Sequence, residues 1–408
     1  MTHHLYIHLH RLALLLLFMV SSLTLTAEDS YDSLEISLLT CAPHDQVYSL
    51  YGHTAIRLQD KSQGYDMVVN YGLFDSSAPH FVLRFVFGLT DYCMGITSFE
   101  MFRQEYVYYG SEVVQQRLNL TEAEKANIME AIRVNALPEN LEYRYNYFYD
   151  NCTTRARDML ANHLSGKVRY QSQLDPTITF RQMVHSCNVG HPWAKFGNDM
   201  LLGVQADMPT SREEQQFLPR NLKQDFSTAV IEMNDGSSRK LIEKEEVVVP
   251  KGVQQLSNGF PLSPMACSLI VLTITIFVTV MEWYRKKNIW LYDALLMIAT
   301  GLAGILLFLM LFSVHPTVRF NLQLLLLNPL PLFFFYPVVK RLRHGQSHIW
   351  WKIGATLIIL FFIGRFFQNY AEGMLVLALS LLIRCISHIT MEKNQNAKLG
   401  KADVQKPR

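Results

Sequence analysis

The chain has 408 residues, half of them hydrophobic and 18% charged, with a formal net charge of +2. That length suits two or three ordinary domains, and the scattered Lys and Arg offer no basic face, so nucleic acid is set aside as a partner. Apolar residues gather in the first 25 positions and after Met265, which points to a membrane-associated chain with a polar middle.

Residues 1–27 read as an export signal. His3, His4, His8, His10 and Arg11 precede the apolar run from Leu12 to Val20, and Leu25-Thr-Ala27 offers a small-residue cleavage site. The run is short for a bilayer span, so a mature chain beginning near Glu28 is expected. No Cys follows the run, so the chain is not expected to be a lipoprotein itself.

Segment 28–249 mixes α and β signals. Ile36, Leu38 and Thr40 alternate with polar neighbours and predict a strand ending before Pro43. Residues 51–58 alternate His53, Ala55 and Arg57 against Thr54, Ile56 and Leu58, and 67–74 and 112–120 read as further strands. Thr121 with Glu124 forms a capping box that opens a helix running to about Val134. Asp150 or Asn151 is a good N-cap for the next helix, which places Cys152 in its first turn. Asn234-Asp-Gly236 predicts a hairpin, and 250–264, with Pro250, Gly252, Gly259 and Pro264, predicts a linker.

Five apolar segments follow, at about 265–283, 290–312, 320–339, 349–367 and 370–388, each close to the roughly 20 residues that a membrane helix needs. Arg285, Lys286 and Lys287, then Lys340, Arg341, Arg343 and Lys352, then a basic tail over 391–408 fall on alternate connections. The positive-inside rule puts that side in the cytoplasm and residues 28–264 outside. Pro329, Pro331 and Pro337 predict a bent third span. On the outer side His315, Arg319, Arg365 and Glu372 sit near span ends, suited either to a lipid head group or to plain interfacial placement.

The chemistry centres on Cys152. A thiol at a helix N-terminus gains from the positive end of the helix dipole, and an imidazolium partner lowers its pKa further. Ala156, Met159, Leu160 and Leu164 share the face of Cys152 at helical spacing, so the thiol is turned toward the strands that carry His53. Asn70, on the next strand, is the preferred group to orient the imidazole, ahead of Asp75 and Tyr71. Cys41, Cys93 and Cys187 are also present, so catalysis, a disulfide and inert burial all remain open for Cys152 on spacing alone. His80, His163, His185 and His191 show no spacing typical of metal ligands.

The runs Tyr51-Gly-His-Thr-Ala-Ile-Arg57, Asn70-Tyr-Gly-Leu-Phe-Asp75, Pro138-Glu-Asn140, Tyr145-Asn-Tyr-Phe-Tyr-Asp-Asn-Cys-Thr-Thr-Arg155 and Trp193-Ala-Lys-Phe-Gly-Asn-Asp199, with Leu201-Leu-Gly203 and Ala206-Asp207, resemble the Lnb N-terminal periplasmic domain of Bacteroidota. The five apolar segments are likewise similar to the Lnb type. The resemblance implies an α+β permuted papain-like periplasmic domain, followed by an all-α transmembrane bundle of five helices in the bacterial inner membrane. It also implies a lipoprotein N-acyltransferase, with His53 as base and Cys152 as nucleophile. A phospholipid would be the acyl donor and a diacylated lipoprotein the acceptor, with no cofactor. Asn70 completes the expected catalytic set, and Tyr51, Tyr71, Arg155, Arg319 and Arg365 are the expected substrate-binding residues. The rival readings are a cell-wall amidase or peptidase and a non-catalytic membrane sensor.

Overall fold

The computed structural model describes residues 31–46, 49–173, 175–254 and 259–404. The expected export signal lies outside them, as do part of the 250–264 linker and the last residues of the basic tail.

The first half is built on a seven-stranded antiparallel sheet. Its strands are β1 (Leu34–Cys41), β2 (His53–Asp60), β3 (Tyr65–Leu73), β4 (Asp91–Ser98), β5 (Val113–Leu118), β6 (Glu142–Arg144) and, much later, β10 (Ile242–Val249). Their order is β10-β5-β1-β2-β3-β4-β6. Alternate residues point to opposite faces, and the two faces bury separate cores. Leu34, Ile36, Leu38, Ile56, Leu58 and Val69 pack under α3 (Glu122–Asn135) and α4 (Cys152–Ala161). Leu39, Cys41, Ala55 and Val68 pack against Phe102 and Tyr106 of α2 (Phe99–Tyr108). Arg57 ties the second face together: it pairs with Asp66 at 2.5 Å, donates to Gln115 at 2.6 Å and lies 3.4 Å over the Phe99 ring.

The expected strands and capped helices are present, with ends shifted by a residue or two. The Thr121–Glu124 capping box forms, and Gly236, at φ +85, turns β8 (Val230–Glu232) into β9 (Ser238–Lys240). Those two strands make a small second sheet with β7 (Lys167–Arg169). The short helix α1 (Phe81–Phe87), α2 and β4 lie in a stretch where the sequence pattern gave no expectation. A helical layer follows α4, made of α5 (Phe180–Cys187), α6 (Pro192–Leu201) and α7 (Pro219–Thr228).

The second half is helical. Among the described residues three helices are long and apolar enough to cross a membrane: α8 (Pro264–Arg285), α9 (Trp290–Met310) and the Met374–Met391 part of α12 (Met374–Val404). Of the five expected spans the bent third is divided and the fourth is short. Residues 320–339 do not form one helix; they divide into a 3-10 turn (Leu322–Leu325), a short turn of helix (Leu330–Phe333) and α10 (Phe335–Arg343). Proline withholds backbone donors at Pro329, Pro331 and Pro337, and Asn328 fits so closely against α9 that a side chain at Gly304 would strike its backbone. The fourth apolar helix, α11 (Trp350–Gly364), has only 15 residues.

Inside this bundle α8, α9 and α12 meet at a buried ionic cluster. Arg384 grips both carboxylate oxygens of Asp293 at 2.7 and 2.8 Å and reaches Glu282 at 2.7 Å. His388 Nε2 lies 2.9 Å from Asp293, its ring stacked 4.2 Å from Trp351. At one end of the bundle Asn288 donates to the Leu342 carbonyl, and Arg343 lies 4.1 Å over the Trp290 ring. At the other end the connections after α9 and after α11 meet the first half of the chain.

That meeting is a dense polar seam. The Gly203 and Val204 N–H groups donate to the Thr317 and Phe320 carbonyls, both at 2.8 Å. Asn321, Gln323 and Gln368 donate to the carbonyls of Met200, Asp199 and Leu202. Behind the seam Arg181 is fully buried between Asp199 at 2.8 Å and Asp207 at 2.9 Å, and Asp207 also accepts from Asn369. An unpaired charge or carbonyl here would be costly, so the seam fixes how the two halves sit.

Candidate active site

Cys152 stands where the N-terminus of α4 meets the end of the central strand β2. Asn151 is the N-cap, and its Oδ1 accepts from the Thr153 and Thr154 N–H groups at 2.8 and 3.0 Å. Its amide donates to the Tyr147 and Phe217 carbonyls, both at 3.0 Å, which locks the cap into the loop before the helix. The capped pair of N–H groups leaves that of Cys152 outside the cap. Gly72, at φ +92 beside a break in the β3–β4 register, lies against the cysteine; a side chain there would sit 3.8 Å from Cys152 Cβ.

His53 begins β2, opposite Cys41 of β1. Its Nε2–H donates to Asn70 Oδ1 at 3.1 Å, which leaves Nδ1 for the thiol. Asn70 pairs with Ala55 in register, so by strand alternation it shares a face with His53. The Cys152 thiol faces the His53 ring and the Thr54 backbone N–H, and its Sγ lies 3.8 Å from the Thr153 hydroxyl. Thr54 and Thr153 hydroxyls, 3.1 Å apart, pin the helix start to β2.

The charges follow from these contacts. Burial alone pushes the Cys152 thiol up, but the facing His53 imidazolium, its hydrogen bond and the Thr54 N–H outweigh it and hold the thiol below the usual range. Burial pushes His53 down, and the thiolate and Asn70 more than reverse this. Both shifts favour a thiolate–imidazolium pair. By contrast, burial pushes the Cys41 and Cys187 thiols up. No disulfide occupies Cys152.

The other expected binding residues lie elsewhere. The Tyr51 hydroxyl accepts from Asn188 and Asn198 at 3.1 and 2.7 Å, inside the helical layer. Tyr71 and Arg155 line a separate open cleft of about 390 Å³ with Asp150, Asp158 and His163. There Tyr71 donates to Asn135, and Arg155 is clamped to Asp150 at 2.6 Å and stacked on Tyr143. Arg319 is exposed at the seam, donating to the Ser313 carbonyl, and Arg365 is exposed at the end of α11. None of the five touches Cys152 through a described hydrogen bond. Thr54 and Thr153 were missed, because a strand threonine beside a histidine reads only as sheet propensity; the doublet Thr153-Thr154 after Asn151 was the available signal.

The class defined so far is an α+β domain with a Cys–His pair, seated on a helical membrane domain. Two family models match: the Lnb N-terminal periplasmic domain over residues 22–186, and the Lnb transmembrane domain over 255–396. The chain belongs to the Lnb family, with its α+β half in the periplasm and its helical half in a membrane. In the same comparisons no curated protein and no solved structure matched.

Proposed function

We propose that this protein is a lipoprotein N-acyltransferase that uses Cys152 as nucleophile, His53 as base and Asn70 as the group orienting the imidazole. The observation that carries the reading is the row Cys152–His53–Asn70, in which the thiol faces an imidazole hydrogen-bonded to Asn70 and has its pKa lowered, on a domain fixed to a membrane face. A permuted papain-like arrangement suits it: the histidine strand precedes the cysteine helix, and the two meet at the strand end.

The proton accounting closes. His53 Nδ1 takes the Cys152 proton, and the thiolate adds to the ester carbonyl of a phospholipid. The Cys152 N–H, left outside the Asn151 cap, is placed to hold the oxyanion. Collapse forms an S-acyl bond and breaks the glycerol ester, and the departing alkoxide takes the His53 proton to leave as a lysophospholipid. The α-amine of an S-diacylglyceryl cysteine then adds to the thioester and gives a proton to His53. Collapse forms the amide and expels the thiolate, which His53 reprotonates. Both substrates are lipids, which accounts for a thiol site attached to a membrane domain.

The membrane topology in this reading has five crossings in the inner membrane, with the C-terminus in the cytoplasm. The connections at 311–323 and 365–373 touch the periplasmic half, whereas 286–289 and 342–349 meet at the far end of the bundle. Residues 324–343 and 350–364 therefore each count as a crossing, despite the broken helix in one and the shortness of the other. The mature chain divides as a catalytic domain over 28–249, a linker over 250–264, the bundle over 265–390 and a basic tail from 391.

The test is expression in a strain lacking lipoprotein N-acylation, with mass spectrometry of lipoprotein N-terminal peptides. Wild type should restore a third acyl chain and Cys152→Ala should not. Absence of that chain with wild type, or its presence with Cys152→Ala, overturns the reading.

A further inference from the structure

Helix α1 is unusual for a soluble domain. Its sequence, Phe81-Val-Leu-Arg-Phe-Val-Phe87, is apolar at every position but Arg84, yet it covers little. Only Val86 is fully buried, whereas Val82, Leu83 and Phe85 are 75%, 49% and 47% exposed. Leaving such a patch to water is unfavourable, and contiguous exposed apolar surface marks a contact site.

What covers it follows from where α1 is seated. Val86 packs with Met310 and Val318 and with Leu309 and Leu201, so α1 rests on the periplasmic end of α9. The Val314 N–H donates to the Phe87 carbonyl at 3.0 Å, and Gly88 packs against Val314 and His315. The lipid-facing surface of α9 ends in exposed Phe308 and Phe312, set edge to face with centroids 5.6 Å apart. Arg84 turns back to Asp91 at 2.7 Å and to the Leu89 carbonyl, which keeps its charge off the apolar face. A short apolar helix at the end of a spanning helix, with its charge withdrawn, matches an element lying in the membrane surface.

From α1 an unbroken row of rings leads inward. Phe85 stacks on Phe81, Phe81 on Phe74, Phe74 on Tyr92 and Tyr92 on Tyr145, with centroids 6.3, 5.6, 4.9 and 4.0 Å apart. Tyr145 and Cys152 border the same core, and Phe74 follows Gly72-Leu73 on the strand that touches Cys152.

We propose that α1 lies in the periplasmic leaflet with Val82, Leu83 and Phe85 among phospholipid acyl chains, and that the Phe85–Phe81–Phe74–Tyr92 row is the wall along which an acyl chain reaches Cys152. The first part stands on geometry alone; the second rests on the acyltransferase reading.

The full chain is placed in phosphatidylethanolamine–phosphatidylglycerol vesicles that contain a phospholipid with a diazirine on its acyl chain. After photolysis, adducts are mapped by peptide mass spectrometry. Adducts are expected on 81–87, as on the lipid-facing Phe277 and Phe308, but not on the water-facing Tyr108 of α2. Adducts confined to the membrane helices, or protein cross-links at 81–87 in their place, overturn the placement whatever Cys152 does. Labelled 81–87 with no acyl-thioester at Cys152 overturns the acyltransferase reading and leaves the placement standing. The surface variant Val82→Asp/Leu83→Asp, checked for unchanged thermal unfolding, is expected to lower kcat/KM for vesicle phospholipid roughly tenfold through KM. An unchanged kcat/KM overturns the acyl path.

Discussion

Around Arg384, three membrane helices bring a guanidinium, two carboxylates and an imidazole together, and all four carboxylate oxygens accept a hydrogen bond, the last from the Ile289 N–H. Around Cys152 the groups are fewer and the balance is left open on one side. One imidazole, held from behind by the Asn70 amide, and one backbone N–H face a thiol that is only partly covered. The first cluster is closed, and its charges hold helices together. The second sets a thiolate against a single imidazolium and leaves one side of the sulfur open, which suits reaction. The difference teaches that burial of ionisable groups is not itself a sign of function; whether an electrophile still has room beside them is.

Breaking the closed cluster should give the largest effect. Arg384→Leu leaves Asp293 and Glu282 buried without their cation, at a cost of about 3–5 kcal/mol. The expected result is a large drop in the thermal unfolding temperature of the purified protein. Arg384→Met with Asp293→Leu and Glu282→Leu should recover most of it. A destabilised triple variant would show that the cluster does more than hold helices.

The open cluster should respond in rate and not in stability. His53→Ala is expected to reduce acyl transfer by about 100- to 10,000-fold while leaving unfolding nearly unchanged. Because the facing imidazolium lowers the thiol pKa, the wild-type thiolate persists as pH falls, and iodoacetamide should alkylate Cys152 at a pH below the usual thiol range. In His53→Ala that profile should move to higher pH. Identical profiles would remove the physical basis for the pair.

The smallest effect sharpens the comparison further. Asn70→Ala removes one hydrogen bond to the imidazole, worth about 1–1.5 kcal/mol, so transfer should fall roughly tenfold. Its alkylation profile should shift in the direction of His53→Ala but less far. A rate loss with no such shift would place Asn70 in the structure of the strand end instead.

Much of the periplasmic half was legible because its signals are local. Alternation over 34–41 and 53–60, the Thr121–Glu124 box and Asn151 before Cys152 each depend on neighbours within a few residues. Asn70 could be singled out since adjacent antiparallel strands bring it beside His53. Tyr51, Tyr71 and Arg155 lie near the motif in sequence, yet their partners come from distant elements: Asn188 and Asn198 for Tyr51, Asn135 for Tyr71 and the Tyr143 ring for Arg155. Nothing local separates a tyrosine beside a reactive thiol from one facing another cleft. The broken 320–339 segment was half legible. Its prolines foretold a bend, but the glycine face of α9 that admits Asn328 lies on another helix. The Arg181 seam was illegible for the same reason, as its partners come from four separate stretches of chain.

That seam bears on how the protein can be handled. A piece cut at the linker would lose the Asn321, Gln323, Gln368 and Asn369 donors to the Met200, Asp199 and Leu202 carbonyls and the Asp207 carboxylate, and would keep only Arg181 on the last three. Its α5–α6 surface would have to rehydrate or rearrange, so an inactive soluble fragment would reveal little about the thiol. The unit to purify, engineer or screen against is the whole chain with its lipid around it.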